Sequence, residues 1–65
     1  MTRVIRFHET PDDGSACCFI LLAMEHGVQA QGAGGVFTVT GNDASVEAFM
    51  DDMTSEFAGE MEVVD

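Results

Sequence analysis

The chain has no lysine, and its only strong bases are Arg3 and Arg6. Against them stand 12 acidic residues in 65, for a formal net charge of −10 at pH 7. A surface this negative repels phosphate, which sets the chain against direct binding to nucleic acid or anionic lipid. Long apolar runs are missing as well. The longest, Ala16–Met24, falls well short of the roughly 18 residues that a membrane span needs. The opening Met1-Thr2-Arg3-Val4 does not lead into the apolar stretch of a signal peptide. Cysteine is scarce, and Cys17 and Cys18 are neighbours, so no ordinary loop-closing disulfide framework of the secreted kind is available. A reducing, cytoplasmic setting is expected. No motif in the chain announces a reaction.

What is present is apolar content. Hydrophobic residues make up 46% of the chain, too much for the disorder that acidity brings to polar sequences. A single domain over residues 1–65 is expected, with its charge outside. A chain of this length buries only about 60% of its unfolded surface, so its stability is modest.

The pattern along the chain predicts six elements. Thr2–Glu9 alternates, with Ile5 and Phe7 on one side and Arg6 and His8 on the other, as in a half-buried strand. Thr10-Pro11-Asp12-Asp13 predicts a helix start, with Thr10 as cap and Pro11 in the first helical position; Gly14 would delay it toward Ser15. In the following helix Cys17, Ile20, Leu21 and Met24 repeat at i, i+3, i+4 and i+7. The run is apolar nearly all round, which predicts a helix packed on more than one side and two small buried thiols. His26 and Gly27 suit its end. Val28–Ala33 predicts a weak strand, Gly32-Ala33-Gly34-Gly35 a hairpin turn, and Val36–Thr40 a strand. Asn42 or Asp43 caps a second helix, whose apolar stripe is Val46, Phe49, Met50, Met53 and Phe57. Gly59 stops it, and Glu60–Asp65 is the last strand. The order strand, helix, strand, strand, helix, strand predicts an α+β ferredoxin-like βαββαβ fold, a four-stranded antiparallel sheet with both helices on one face. In that order the last strand lies beside the first, bringing Glu60 and Glu62 to Arg6 and His8 on the outer face.

Chemistry-bearing groups are few. His8, Glu9, Asp12, Asp13, Cys17 and Cys18 gather near the first strand–helix loop. Adjacent helical cysteines point about 100° apart, a poor geometry for sharing one ion. A nucleophile at Cys17 or Ser15 with His8 as base would sit in a negative field that opposes thiolate formation. The glycines at 32–35 lack the Gly-Lys-Ser/Thr ending of a phosphate loop. The five methionines are expected to be mostly core, Met50 and Met53 in the stripe of the second helix and Met24 and Met61 in the same interior. No metal, no cofactor and no catalytic activity is expected.

The acids are the stronger signal. On the second helix Glu47 and Asp51 form one row and Asp52 and Glu56 another, about 140° apart around the axis. Asp43 precedes them, and Glu60 and Glu62 follow. Rows on the order of 10 Å apart compare with the ~12 Å opening of the DNA major groove. The acidic segment Asn42–Glu56, the missing lysine and the size of the chain resemble the small phage-encoded anti-CRISPR proteins, a likeness of kind without a diagnostic motif. That resemblance implies a non-enzymatic inhibitor acting in the host cytoplasm as a DNA mimic. It would use Asp43, Glu47, Asp51, Asp52, Glu56, Glu60 and Glu62 against a basic nucleic-acid-binding surface of a CRISPR effector complex. A monomer is expected. Two alternatives stand beside it. One is a small ferredoxin-like binding or regulatory module working through Gln29, Gln31, Thr38 and Thr40 of the open sheet face, for a protein or metal ligand. The other is an acidic protein of a high-salt cytoplasm.

Overall fold

In a computed structural model that describes residues 1–65, the chain forms β1 (Thr2–Phe7), α1 (Asp13–His26), β2 (Gln29–Ala33), β3 (Val36–Thr40), α2 (Asp43–Glu56) and β4 (Met61–Val63). The four strands make one antiparallel sheet in the order β2-β3-β1-β4. This is the ferredoxin-like βαββαβ arrangement that the element order predicts.

Local chemistry sets the boundaries. Both helices start on a side-chain oxygen that accepts from the backbone N–H three residues on, Asp12 from Ser15 and Asn42 from Ser45, each at 2.8 Å. Asp12, not Thr10, is therefore the first cap, and Pro11 lies outside the helix. The carboxylate outcompetes the hydroxyl because its charge also meets the positive end of the helix dipole. α1 ends at Gly27, whose φ of 68° lets its N–H reach the carbonyls of Ala23 and Met24. Between β2 and β3 the turn is Gly34-Gly35, with φ of 65° and 87°. Two consecutive positive φ values match the two-residue turn whose twist suits a hairpin. Gly32 and Ala33 belong to the strand, not the turn. β1 stops two residues earlier than expected, and β4 keeps only three of six.

The core lies between one sheet face and the helices. It comprises 11 buried residues, among them Ile5 and Phe7 of β1, Val39 of β3 and the whole α2 stripe of Val46, Phe49, Met50 and Met53, with Phe57 just beyond the helix. Phe7 meets Phe19, Phe37 and Phe57 edge-on, with ring centroids 6.0, 5.8 and 5.3 Å away.

α1 corrects the sequence reading. Its buried residues are Phe19 and Ala23, with Cys18 and Leu22 packed partly against the core. The expected stripe faces the opposite way: Ile20 is 55% exposed, Leu21 54% and Met24 71%, and Cys17 is exposed as well. The helix is packed on one side, Cys17 is not a buried thiol, and Met24 is not a core residue. The aromatic ring at 19 sets the rotation, because Phe19 is the group that fills the space beside Phe7, Phe37 and Phe49.

Candidate functional site: the acidic flank of α2

α2 carries five acids and no base, and its rotation is fixed by the stripe buried beneath it. Every acid therefore points away from the core, and Asp43, Glu47, Asp51, Asp52 and Glu56 are all exposed. Their neighbours differ.

Three of the seven candidate carboxylates have partners within the chain: an ammonium, an imidazole and a guanidinium. Asp43 lies 3.3 Å from the Met1 ammonium, which also donates to the Gly41 carbonyl. Asp52 is 2.6 Å from His26 Nε2, tying the end of α1 to the middle of α2. Glu62 pairs with Arg6 across the β1–β4 register. Glu47, Asp51, Glu56 and Glu60 have neither an ion pair nor a side-chain hydrogen bond. Of the two α2 rows, Asp52 turns its row toward α1, while Glu47 and Asp51 stand one helical turn apart on the opposite flank.

The outer sheet face completes the charge map. Arg6 meets Glu62 there as the predicted topology requires. Arg3 is also held at the β1–β4 border, with Nε donating at 3.0 Å to the backbone carbonyl of Asp65, not to a carboxylate. His8 meets Glu60 through its backbone N–H, which donates to the Glu60 carbonyl at 2.9 Å. Both arginines are thus anchored at one edge of the sheet, and neither reaches α2. Toward the other edge, Gln29 pairs with Thr40 and Gln31 with Thr38 in register, a neutral polar strip.

A hollow of about 460 Å³ lies between the first loop and the end of α2, with His8, Glu9, Asp12 and Glu60 on its rim. No group of three or more His, Cys, Asp or Glu side chains in the chain is placed to hold a metal ion. Asp12 caps α1 at the edge of this hollow. Its hydrogen bonds from Ser15, backbone N–H first, hold its carboxyl below the ordinary 3.8. That is the signature of a helix cap.

The His26–Asp52 contact is absent from the sequence reading, which takes His26 only as a helix-end residue. Its two residues lie 26 apart and meet only once the packing of α1 on α2 is known. Comparison with known protein families, with curated proteins and with solved structures finds no match to this chain. No helix is long and apolar enough to cross a membrane.

Proposed function

We propose that the chain is a non-enzymatic protein ligand that covers a basic, nucleic-acid-binding surface and so excludes the nucleic acid. The observation that carries this reading is the set of exposed carboxylates without internal cations. Glu47 and Asp51 on the α2 flank, with Glu56 and Glu60, are free to meet Arg and Lys of a partner, while both arginines of the chain are held at the β1–β4 border. Asp43, Asp52 and Glu62 would contribute only by exchanging their internal partners. The specific partner in this proposal is the DNA-binding surface of a CRISPR effector complex.

Electrostatic steering makes such an association fast and salt-sensitive. The test is target-DNA binding by a purified CRISPR effector, read by electrophoretic mobility with and without the chain. Wild-type chain is expected to displace DNA, and Glu47→Lys with Asp51→Lys to abolish the displacement while leaving the fold intact. Undiminished displacement by the double reversal would sink the acidic-flank reading. Loss on replacing Gln31 and Thr38, with the acidic variants still active, would move the binding site to the open sheet face.

A further inference from the structure

Away from the acidic flank, α1 and β2 form a side of the molecule with few charges. Between Asp13 and Asp43 the chain holds a single acidic residue, Glu25. Along that side run Ile20, Leu21 and Met24, each more than half exposed. Ile20 and Met24 overhang a groove of about 400 Å³ whose floor includes Ala30 and Gly32 of β2. β2 is also an edge of the sheet. Its sequence Gln-Ala-Gln-Gly-Ala has none of the lysine, proline or inward charge that normally blocks an exposed edge.

We infer that a second copy of this chain docks here, β2 against β2, with the Ile20–Leu21–Met24 faces of the two α1 helices meeting over the joint. Two features select a copy of the same chain over an unrelated protein. The first is symmetry. An edge strand pairs antiparallel with its own copy about a two-fold axis perpendicular to the sheet, and that one operation also sets stripe against stripe. Adding a strand at about 4.8 Å brings two helices that overhang the edge toward the roughly 8–10 Å spacing of packed helices. Each apolar side chain then meets its counterpart near the axis, and the two four-stranded sheets become one. The second feature is area. A stable dimer buries at least about 600 Å² per chain, about 15% of this chain's 3937 Å². In a molecule measuring 27 × 22 × 20 Å, that takes one whole side. The stripe, groove and strand edge together offer a continuous side where two chains of charge −10 can meet with few carboxylates between them. The joined chains would keep the Glu47–Asp51 flanks on their outer ends, so this inference stands apart from the reading of that flank, and it departs from the monomer expected at the level of sequence.

Salt gives the two associations opposite signs. Docking on a basic partner weakens as salt rises, whereas two like-charged copies associate more tightly. Sedimentation equilibrium of the full chain at high micromolar concentration tests this. The expected mass is twice the 6.9 kDa of one chain, with a dissociation constant that falls ~tenfold between about 0.05 and 0.5 M NaCl. Ile20→Gln with Met24→Gln should return a single-chain mass with an unchanged circular dichroism spectrum. Hydrogen exchange on the wild-type chain supplies a readout that needs no variant: β2 amides facing away from β3 should gain protection as concentration rises. A single-chain mass for the wild type throughout, an open-ended series of larger masses, a dimer indifferent to the double substitution, or β2 exchange independent of concentration would each overturn the proposal.

Discussion

At Gly32 the two strands of the β2–β3 hairpin leave no room for a methyl group. A Cβ there would lie 1.9 Å from the Val36 carbonyl oxygen and 2.8 Å from Phe37 Cα, both of them backbone atoms that cannot rotate away. Gly32→Ala must push the strands apart. The expected cost is about 1–3 kcal/mol, by analogy with overpacked cores. In a domain this small each kcal/mol lowers the melting temperature by roughly 4–8 °C. A thermal melt followed by circular dichroism checks it, and an unchanged midpoint would refute the close approach. Asp12 is the other residue with a readable effect. Its folded-state pKa lies below the ordinary 3.8 because the ionised carboxylate accepts from Ser15. The unfolded chain therefore binds this proton at higher pH than the folded chain does. The contribution is fully present above about 3.8 and is lost as pH falls through the lower folded value. Asp12→Asn keeps an acceptor for the cap but removes the titration, so its stability curve should lose this part of the acid limb. Asp12→Ala should be less stable at neutral pH as well. Urea unfolding at a series of pH values separates the two, and parallel curves for wild type and the Asn variant would contradict the cap as the cause.

The two helices show where a sequence speaks and where it is silent. α2 alternates apolar and acidic faces, so its period carries a phase, and all five residues of the expected stripe are buried. α1 is apolar nearly all round. A helix without a polar face has a period but no phase, and the i, i+3, i+4, i+7 set that begins at Cys17 proves to be the outer face. Ring packing at Phe19 decides the rotation, and that is a tertiary fact. The same division runs through the candidate site. Arg6 with Glu62 follows from strand order and register alone. His26 with Asp52 depends on the orientation of one helix against the other and leaves no pattern in the chain. The helices should therefore respond differently to substitution. Phe49 is fully buried, and Phe49→Ala should cost about 3–5 kcal/mol. At roughly 0.05–0.15 kcal/mol per residue the whole fold holds only about 3–10 kcal/mol, so a large share of the variant chains should be unfolded at 37 °C. Leu21→Gln on the exposed face should stay within about 0.5 kcal/mol of wild type at concentrations low enough to keep chains apart. Denaturant melts of the two variants make the comparison, and equal losses would mean that the rotation of α1 described above is wrong.

Taken whole, the molecule is a charge gradient. α1 and β2 together carry two carboxylates, Asp13 and Glu25, α2 carries five, and both arginines are held at the β1–β4 border. Part of the self-repulsion of a −10 chain falls on one flank, where Glu47 and Asp51 stand roughly 5–6 Å apart between Cβ atoms. The screening length is about 10 Å at 0.1 M salt and about 3 Å at 1 M. It exceeds that spacing at low salt and drops below it within a few tenths of a molar. The melting temperature in KCl should therefore climb steeply over that range and then level off, with the chain already folded at the lowest salt. Glu47→Gln with Asp51→Gln should raise the low-salt end of the curve and leave the plateau almost unmoved, because it removes only the repulsion that salt would have screened. A protein adapted to a saline cytoplasm would behave otherwise, staying unfolded until KCl approaches molar concentration and gaining stability without a plateau. Melts of the wild type and the double variant, taken at low protein concentration so that self-association does not contribute, distinguish the two. A chain that folds only in molar KCl would make its acidity an adaptation of the whole surface and leave the α2 flank no special part in binding.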